Sequence, residues 1–535
     1  MASGLSHDVV PEELLSTLQQ EVLESRREEL QTRLQETTTS LVEVESILTR
    51  KWAQSHITRN PLAPISRLPD EVLLSIFEEA VQSQEQGQVI RTEWVISYTS
   101  HRWRQVAINA PRLWNSFSVR AEVPSTVLQI SISRSANIPL TVEFRECGTA
   151  WPGANKRSMA HLSRALDVIL PSVPRWRRII VLHRSYPYFT HVFRELRMVA
   201  PLKMLQSISM RSPCVCGPCP LLLDDAAPAL ELLEVEDMPL PPPVTQTFNA
   251  ARYSVAGLTT LRLRLRGMGA GGSHAATDPS AFRMLIGSAP MLSTLEIYGQ
   301  PVNFGQERDD GVTIPLEIPR LRTLVLHPGT QWPHDLRHFI LVIKAPILRH
   351  FELVYPDNAP PGHDISDLLF DAFQGARFPC VETVRLLNAI HADSCLAFIN
   401  AFPDATHIIL GNSDAGCLFE LTSHGKLSWA SHIQHLTVIS PLRNSLLQMD
   451  EWLLSVAKQA RQLPTITLQG PVCLVDCPEF LPQLTKLASC TEVRLCGVDL
   501  SAFAFQVCTH PAVQRCRSCT PLSAAYPDSS RSLTS

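Results

Sequence analysis

The chain has 535 residues, enough for two or more domains or one long repeat array. Hydrophobic residues make up 45% and charged residues 18%, against a usual charged share of about 25%, which excludes a mostly disordered chain. Lys and Arg total 47 against 51 Asp and Glu, a net charge of −4, so the basic excess of a nucleic-acid binder or a polybasic membrane anchor is missing.

The fourteen cysteines are scattered, nine of them beyond residue 394, and do not read as a disulfide framework. Residues 1–30 have no apolar core of a signal peptide, and no apolar run approaches the ~18 residues of a membrane span. The expectation is a cytoplasmic or nuclear chain that is not secreted and keeps its thiols reduced.

In chain order, residues 11–51 read as one long helix. Pro11 suits a helix start, and Glu12 and Glu13 suit its positive end. Leu23, Leu30, Leu34, Leu41, Val44 and Leu48 recur at coiled-coil-like spacing, interrupted by Arg27 and Thr37. Such a helix can associate with a second copy of the chain or pack on its own protein. Asn60-Pro61 and Ala63-Pro64 end it, because residues before Pro are biased away from helix. This helix and its linker make up residues 1–60.

Residues 61–120 read as a small all-α segment. Pro69 is placed for a first helical position, and Asp70 and Glu71 for the first turn. Val72, Leu73, Ile76 and Phe77 form an apolar stripe. A second amphipathic stretch carries Trp94, Val95, Tyr98, Trp103, Val106 and Ala107, and ends before Pro111-Arg112-Leu113-Trp114.

From 121 to 510 the chain is repetitive. The pattern apolar-x-x-apolar-x-apolar recurs twelve times, from Trp176–Val181 through Leu205–Met210, Leu292–Ile297 and Leu321–Leu326 to Cys490–Leu495, at intervals of about 28 residues. Five matches follow a Pro, at 290, 319, 346, 379 and 403, read as breaking the preceding helix and setting the strand start. Helical stretches such as Ser280 to Ser288 fill the intervals. A strand and a helix every 20-odd residues is the arithmetic of a divergent leucine-rich-repeat solenoid with parallel strands lining a concave face. Leu295, Leu324 and Leu436 are expected inward. Glu234, Glu236, Arg262, Arg264, Glu296, Tyr298, His327, Glu352, Arg385 and His435 are expected on the concave face, where they could meet a protein substrate or pair with one another. The tail 511–535, rich in Ser, Thr and Pro, is expected to be disordered. The fold class is therefore α/β, an N-terminal helix and a small all-α domain followed by the solenoid.

The opening Leu68-Pro69-Asp70-Glu71-Val72-Leu73-Leu74-Ser75-Ile76-Phe77, with the later Trp103-Arg104-Gln105-Val106-Ala107 and Pro111-Arg112-Leu113-Trp114, resembles an F-box. With the N-terminal helix and the repeats, the chain resembles F-box proteins of the fungal type. It departs from them at Ser100, where the family often has Cys, and in a polar insertion from Gln82 to Ile90. The resemblance implies the substrate-recognition subunit of an SCF-type cullin–RING ubiquitin ligase. The F-box would bind a Skp-type adaptor, and the repeats a protein substrate. It assigns Leu68, Pro69, Glu71, Val72, Leu73, Ile76, Phe77 and Trp103 to the adaptor face or its support. The alternative is a leucine-rich-repeat scaffold with a degenerate F-box and no role in ubiquitin transfer.

Other motifs carry less. Gly267-Met268-Gly269-Ala270-Gly271-Gly272 matches a dinucleotide fingerprint, but the preceding run alternates Leu and Arg, unlike a buried Rossmann strand. Cys214, Cys216 and Cys219 are three thiols without a nearby fourth ligand, although Cys516 and Cys519 could supply one from the tail. His334 and His338 lack the metalloprotease Glu between them. No catalysis, metal, cofactor, nucleic acid or membrane is expected.

Overall fold

The computed structural model describes residues 12–59, 63–84, 91–120, 123–145, 155–183, 186–199, 202–212, 227–240, 255–265, 277–303, 315–328, 333–355, 373, 377–388, 401–411, 414–417, 419, 433–439, 448–449, 452, 464–469, 491, 493–496 and 513–515. It divides into two compact units, Met1–Trp114 and Asn115–Ser535. The fold is mixed α/β, with an N-terminal helix and a large parallel sheet.

The first unit is helical. Helix α1 (Glu12–Arg59) runs eight residues past the expected end at 51, because nothing breaks it before Asn60-Pro61. Every side chain from Gln20 to Lys51 is exposed, so this part of α1 does not bury its apolar side against the described residues of its own unit. A 3-10 turn (Pro64–Arg67) leads into α2 (Asp70–Gln82), followed by α3 (Thr92–Thr99), α4 (His101–Ile108) and a second 3-10 turn (Pro111–Trp114). Pro69 caps α2 one position earlier than expected, and Asp70 and Glu71 occupy its first turn.

Among the described residues, the second unit is built on a sheet of 15 strands, hydrogen-bonded in chain order and all parallel. Strands β1 (Ser116–Val119), β2 (Leu140–Arg145), β3 (Trp176–Leu182), β4 (Ser207–Arg211), β5 (Leu232–Glu236), β6 (Thr260–Arg264) and β7 (Thr294–Tyr298) begin it. A two-residue strand β8 (Leu316–Glu317) stands outside it, followed by β9 (Thr323–His327) within it. Strand β10 (Ile343–Lys344) pairs with β8. Strands β11 (His350–Val354), β12 (Thr383–Leu387), β13 (His407–Leu410), β14 (His435–Ile439), β15 (Thr465–Gln469), β16 (Val493–Cys496) and β17 (Val513–Arg515) complete the sheet. All twelve sequence matches fall on strands. The twelve matches leave out β1, which begins the sheet at Ser116, ahead of the expected boundary at 120, and β2, where Pro139 occupies the first apolar position; the sheet also runs past residue 510, where a disordered tail was expected, because Val513–Arg515 extends the ladder. Helices α5 (Ser125–Arg134), α6 (Asn155–Ile169), α7 (Tyr186–Met198), α8 (Pro279–Gly287) and α9 (Pro333–Val342) are interspersed.

Alternation sorts the strand residues. Leu233, Leu261, Leu295, Leu324 and Phe351 lie side by side in one register row, all buried, and the row continues through Val384, Ile408, Leu436 and Ile466. Leu295, Leu324 and Leu436 are thus inward, as expected. Before β7, β9, β11, β12 and β13 the chain makes the same tight turn. Leu292 donates its N–H to Ala289 O, Leu321 to Ile318 O, Leu348 to Ala345 O, Val381 to Phe378 O and Ala405 to Phe402 O. The recurrent Pro sits second in each turn, where its fixed φ matches the geometry. Its role is therefore to form the turn rather than only to stop a helix, and Pro228 serves the same turn before Leu230.

Left-handed residues follow three strands: Asp237, Gly299 and Asn388. At Gly299 (φ 75°) a Cβ would lie 1.9 Å from Leu265 O, so only glycine fits. Leu324→Ala should lower the unfolding free energy by about 2–5 kcal/mol, read as a fall in the urea midpoint, because the fully buried side chain leaves a cavity. An unchanged midpoint would show that this row does not hold the sheet.

Candidate functional site

Each unit presents one surface carrying residues that the sequence assigned to partners. In the helical unit, α2 divides between two faces one residue apart. Leu73 and Phe77 are buried and share a small core with Ile96, Ala107, Ala110, Leu113 and Trp114. Val72 and Ile76, also four residues apart, are 44% and 42% exposed. On α3 the same division leaves Val95 and Tyr98 exposed while Ile96 is buried.

The core explains the aromatic residues. Trp103 is half-buried with its ring centroid 4.9 Å from Phe77, Trp94 stands edge-on to Trp114 at 5.3 Å, and Trp114 Nε1–H donates to Ala107 O at 2.7 Å. Ser100 accepts from the Trp103 N–H at 3.1 Å, so the departure from Cys is the side-chain cap of α4.

The sequence reading missed Arg102. Its guanidinium donates to Leu68 O at 2.5 Å and to Asp70 Oδ1 at 2.5 and 3.0 Å, and also to Ser66 O, tying α4 to the start of α2. The available signal was a cation in the first turn of a helix, where the dipole disfavours it unless an acceptor lies elsewhere. Glu93 was missed too. It is buried beside Arg91 at 2.6 Å, and burial pushes its carboxyl pKa up against the opposing pull of that guanidinium.

Of the eight residues assigned to an adaptor face or its support, Pro69, Glu71, Val72 and Ile76 are exposed. Leu68 and Trp103 are half-buried, and Leu73 and Phe77 belong to the unit's own core. Direct contact by Leu73 and Phe77 is therefore corrected to support, since a side chain filling the domain core has no surface left to offer.

On the sheet, the outward positions form a continuous polar network. Arg262 Nε lies 2.9 Å from Glu296 Oε2, directly across the ladder, whereas Arg264 reaches diagonally to Glu234 at 3.5 Å. Ser209 donates to Glu234 at 2.9 Å, and Tyr298 to Glu296 at 3.2 Å. The Arg264 guanidinium sits 4.6 Å from the Tyr298 ring centroid, and the His327 ring is 4.5 Å from it on the next strand. Burial, with Glu296 beside it, pushes the Tyr298 hydroxyl pKa up to about 12.

Glu352 is the hub of the next stretch. His327 Nε2 lies 3.1 Å away, Arg385 at 3.4 Å and His350 at 3.6 Å. Burial alone would raise its pKa, but the hydrogen bond from His327, the nearby His350 and the charge of Arg385 outweigh it and hold the carboxyl well below the usual carboxylate range. Beyond it, His407 and His435 stack at 4.2 Å between ring centroids. Burial, then the neighbouring His435, depresses the His407 pKa.

All of the expected outward residues except Glu236 lie at partly exposed or exposed positions. Glu236 is buried, 3.5 Å from Arg211 at the end of β4, and is corrected to a structural residue. The network commits Glu234, Glu296 and Glu352 to neighbouring cations and leaves a surface of mixed charge. Among the described residues no group of three or more His, Cys, Asp or Glu could hold a metal ion, and no helix is long and apolar enough to cross a membrane. The 267–272 glycines and Cys214, Cys216, Cys219, Cys516 and Cys519 lie outside the described residues. His338 is buried on α9.

No family model matches this chain, and no curated protein matches it.

Because its folded pKa is depressed, Glu352 contributes stability that is present above the ordinary carboxylate range and is lost as pH falls through that range toward the folded pKa. Glu352→Gln should therefore be less stable than the parent at pH 7, and the gap should close from about pH 5 downward. Denaturant midpoints of both proteins across that range provide the check. A gap that stays constant with pH would refute the ionised hub.

Proposed function

We propose that this protein is the substrate-recognition subunit of an SCF-type cullin–RING ubiquitin ligase. The helical segment from residue 61 to Trp114, which ends before β1 begins, acts as an F-box that engages a Skp-type adaptor. The repeats form a leucine-rich-repeat solenoid whose outward strand positions hold a protein substrate. The reading rests on Val72 and Ile76. They lie within the Leu68-Pro69-Asp70-Glu71-Val72-Leu73-Leu74-Ser75-Ile76-Phe77 opening and keep over 40% of their surface in solvent, while Leu73 and Phe77 on the same helix hold the core. An apolar helix face of this kind is what a groove on a partner recognises. The all-parallel ladder in chain order, with its recurrent turn and inward row, supports the solenoid reading. The mixed charge of the outward network suits a protein or peptide better than a nucleic acid.

Replacing both exposed anchors, Val72→Asp with Ile76→Asp, should reduce capture of a Skp-type adaptor at least 30-fold, about 2 kcal/mol or more, with unchanged helical circular dichroism. Affinity capture of the full chain, alongside a version lacking residues 64–114, is the measurement. If the doubly substituted protein and the parent hold the adaptor equally, the F-box reading fails. If neither holds it, the scaffold without ubiquitin transfer takes its place.

A further inference from the structure

Helix α1 leaves a row of large apolar side chains in solvent: Leu23 at 69%, Leu30 at 55%, Leu34 at 69%, Leu41 at 58%, Val44 at 52% and Leu48 at 61% exposed. In one heptad frame, Leu34, Leu41 and Leu48 take the a positions and Leu23, Leu30 and Val44 the d positions. Polar residues also fall in the same seam: Gln20 and Arg27 at a and Thr37 at d, with Glu13 at a, Ser16 at d and Lys51 at d near its ends. The salt bridges on this helix run elsewhere, from Glu29 to Arg26 at 2.6 Å and to Arg33 at 2.9 Å, and Arg27 makes no ion pair among the described residues.

We infer that α1 joins two copies of this chain as an antiparallel coiled coil with its two-fold axis at the level of residue 32. The charges in the seam select this arrangement. A parallel pair in register would stack Glu13 on Glu13, Arg27 on Arg27 and Lys51 on Lys51, three like-charge layers. In antiparallel pairing each a residue faces a d residue of the second copy. With the axis at 32, Leu30 faces Leu34, Leu23 faces Leu41, Glu13 faces Lys51, and Arg27 faces Thr37.

Sliding the pairing by one heptad fits less well. In one direction the charged Arg27 faces Val44 and Leu34 faces Thr37, and in the other Arg27 faces Leu30, whereas the polar-apolar layers of the chosen register, Gln20 with Val44 and Ser16 with Leu48, lie toward its ends and bury no charge against an apolar side chain. The chosen register also suits Thr37, whose hydroxyl already donates to Arg33 O at 2.6 Å and so enters the seam satisfied, leaving its methyl for the Arg27 stem. The one like-charge approach beside the axis is Arg33 with Arg33 of the second copy, and Glu29 already neutralises each of them. At 1.5 Å per residue, the arrangement carries the two Arg59 ends about 80 Å apart, so the rest of each chain would lie at opposite ends of the coil.

Sedimentation equilibrium of the full-length protein tests the inference. The parent should be a dimer, and Leu30→Asp with Leu34→Asp should be monomeric; both sites are exposed, so the rest of the chain keeps its fold. Thr37→Glu sets a carboxylate opposite Arg27 of the second copy, twice per antiparallel dimer by symmetry. It should tighten the dimer roughly 2- to 30-fold at low salt, with the gain fading at high salt. The exchanged pair Arg27→Glu with Thr37→Arg should tighten it likewise, which guards against an effect of the new carboxylate on its own helix. In a parallel dimer both variants would instead oppose like charges and weaken association. Weakening by both variants, a parent that stays monomeric at tens of micromolar, or a dimer that survives the Asp pair undiminished would each overturn the inference.

Discussion

A parallel strand can satisfy neither its backbone nor its apolar face alone, and this constraint governs the second unit. Each strand donates and accepts hydrogen bonds on both edges, so it needs a neighbour on each side. Each inward side chain also needs the inward side chain of the next strand. Leu295 is buried because Leu261 and Leu324 flank it in register, and the same holds along the row from Leu233 to Ile466. Stability is then a sum of nearest-neighbour contacts, and each turn before a strand must deliver it at the same height. The proline turns do this. Their conformation is preset, so less chain entropy is lost each time the register is made.

The same alternation creates the polar face. Once the register places every second residue inward, the residues between must point outward, and parallel strands bring them within reach of one another. Glu234, Arg262 and Glu296 stand at successive rungs of the ladder, and Glu352 lies among His327, His350 and Arg385. Such a face carries much charge with little net field. A partner would have to match a pattern of donors and acceptors, and part of the ion pairing already present would have to rearrange. That favours selectivity over strength, because each exposed pair is worth little by itself.

In the helical unit a single-residue offset does the corresponding work. Positions 73 and 77 face the tryptophans, and 72 and 76 face solvent, although all four are apolar and close in sequence. Arg102 makes that offset definite by holding the backbone of Ser66 and Leu68 and the carboxylate of Asp70, so the start of α2 cannot rotate without breaking several hydrogen bonds. The exposed pair is therefore held on a fixed support, so little further ordering would be needed for a partner to engage it.

Sequence alone sufficed for the long helix, the twelve-fold pattern and the inward leucines, because these follow from local periodicity and from prolines whose conformational preference needs no tertiary context. It also grouped Val72, Leu73, Ile76 and Phe77 into one stripe, since a helical stripe spans about 100° and periodicity cannot say which edge of it meets the core. Only the packed structure separated them, through the positions of Trp103 and Trp114. The pairing of Arg264 with Glu234 rather than with its ladder neighbour Glu236, the burial of Glu236, and the reach of Arg102 across more than thirty residues were likewise settled by packing. Each depends on distances between strands and helices far apart in the chain, and no local pattern of residues carries that information.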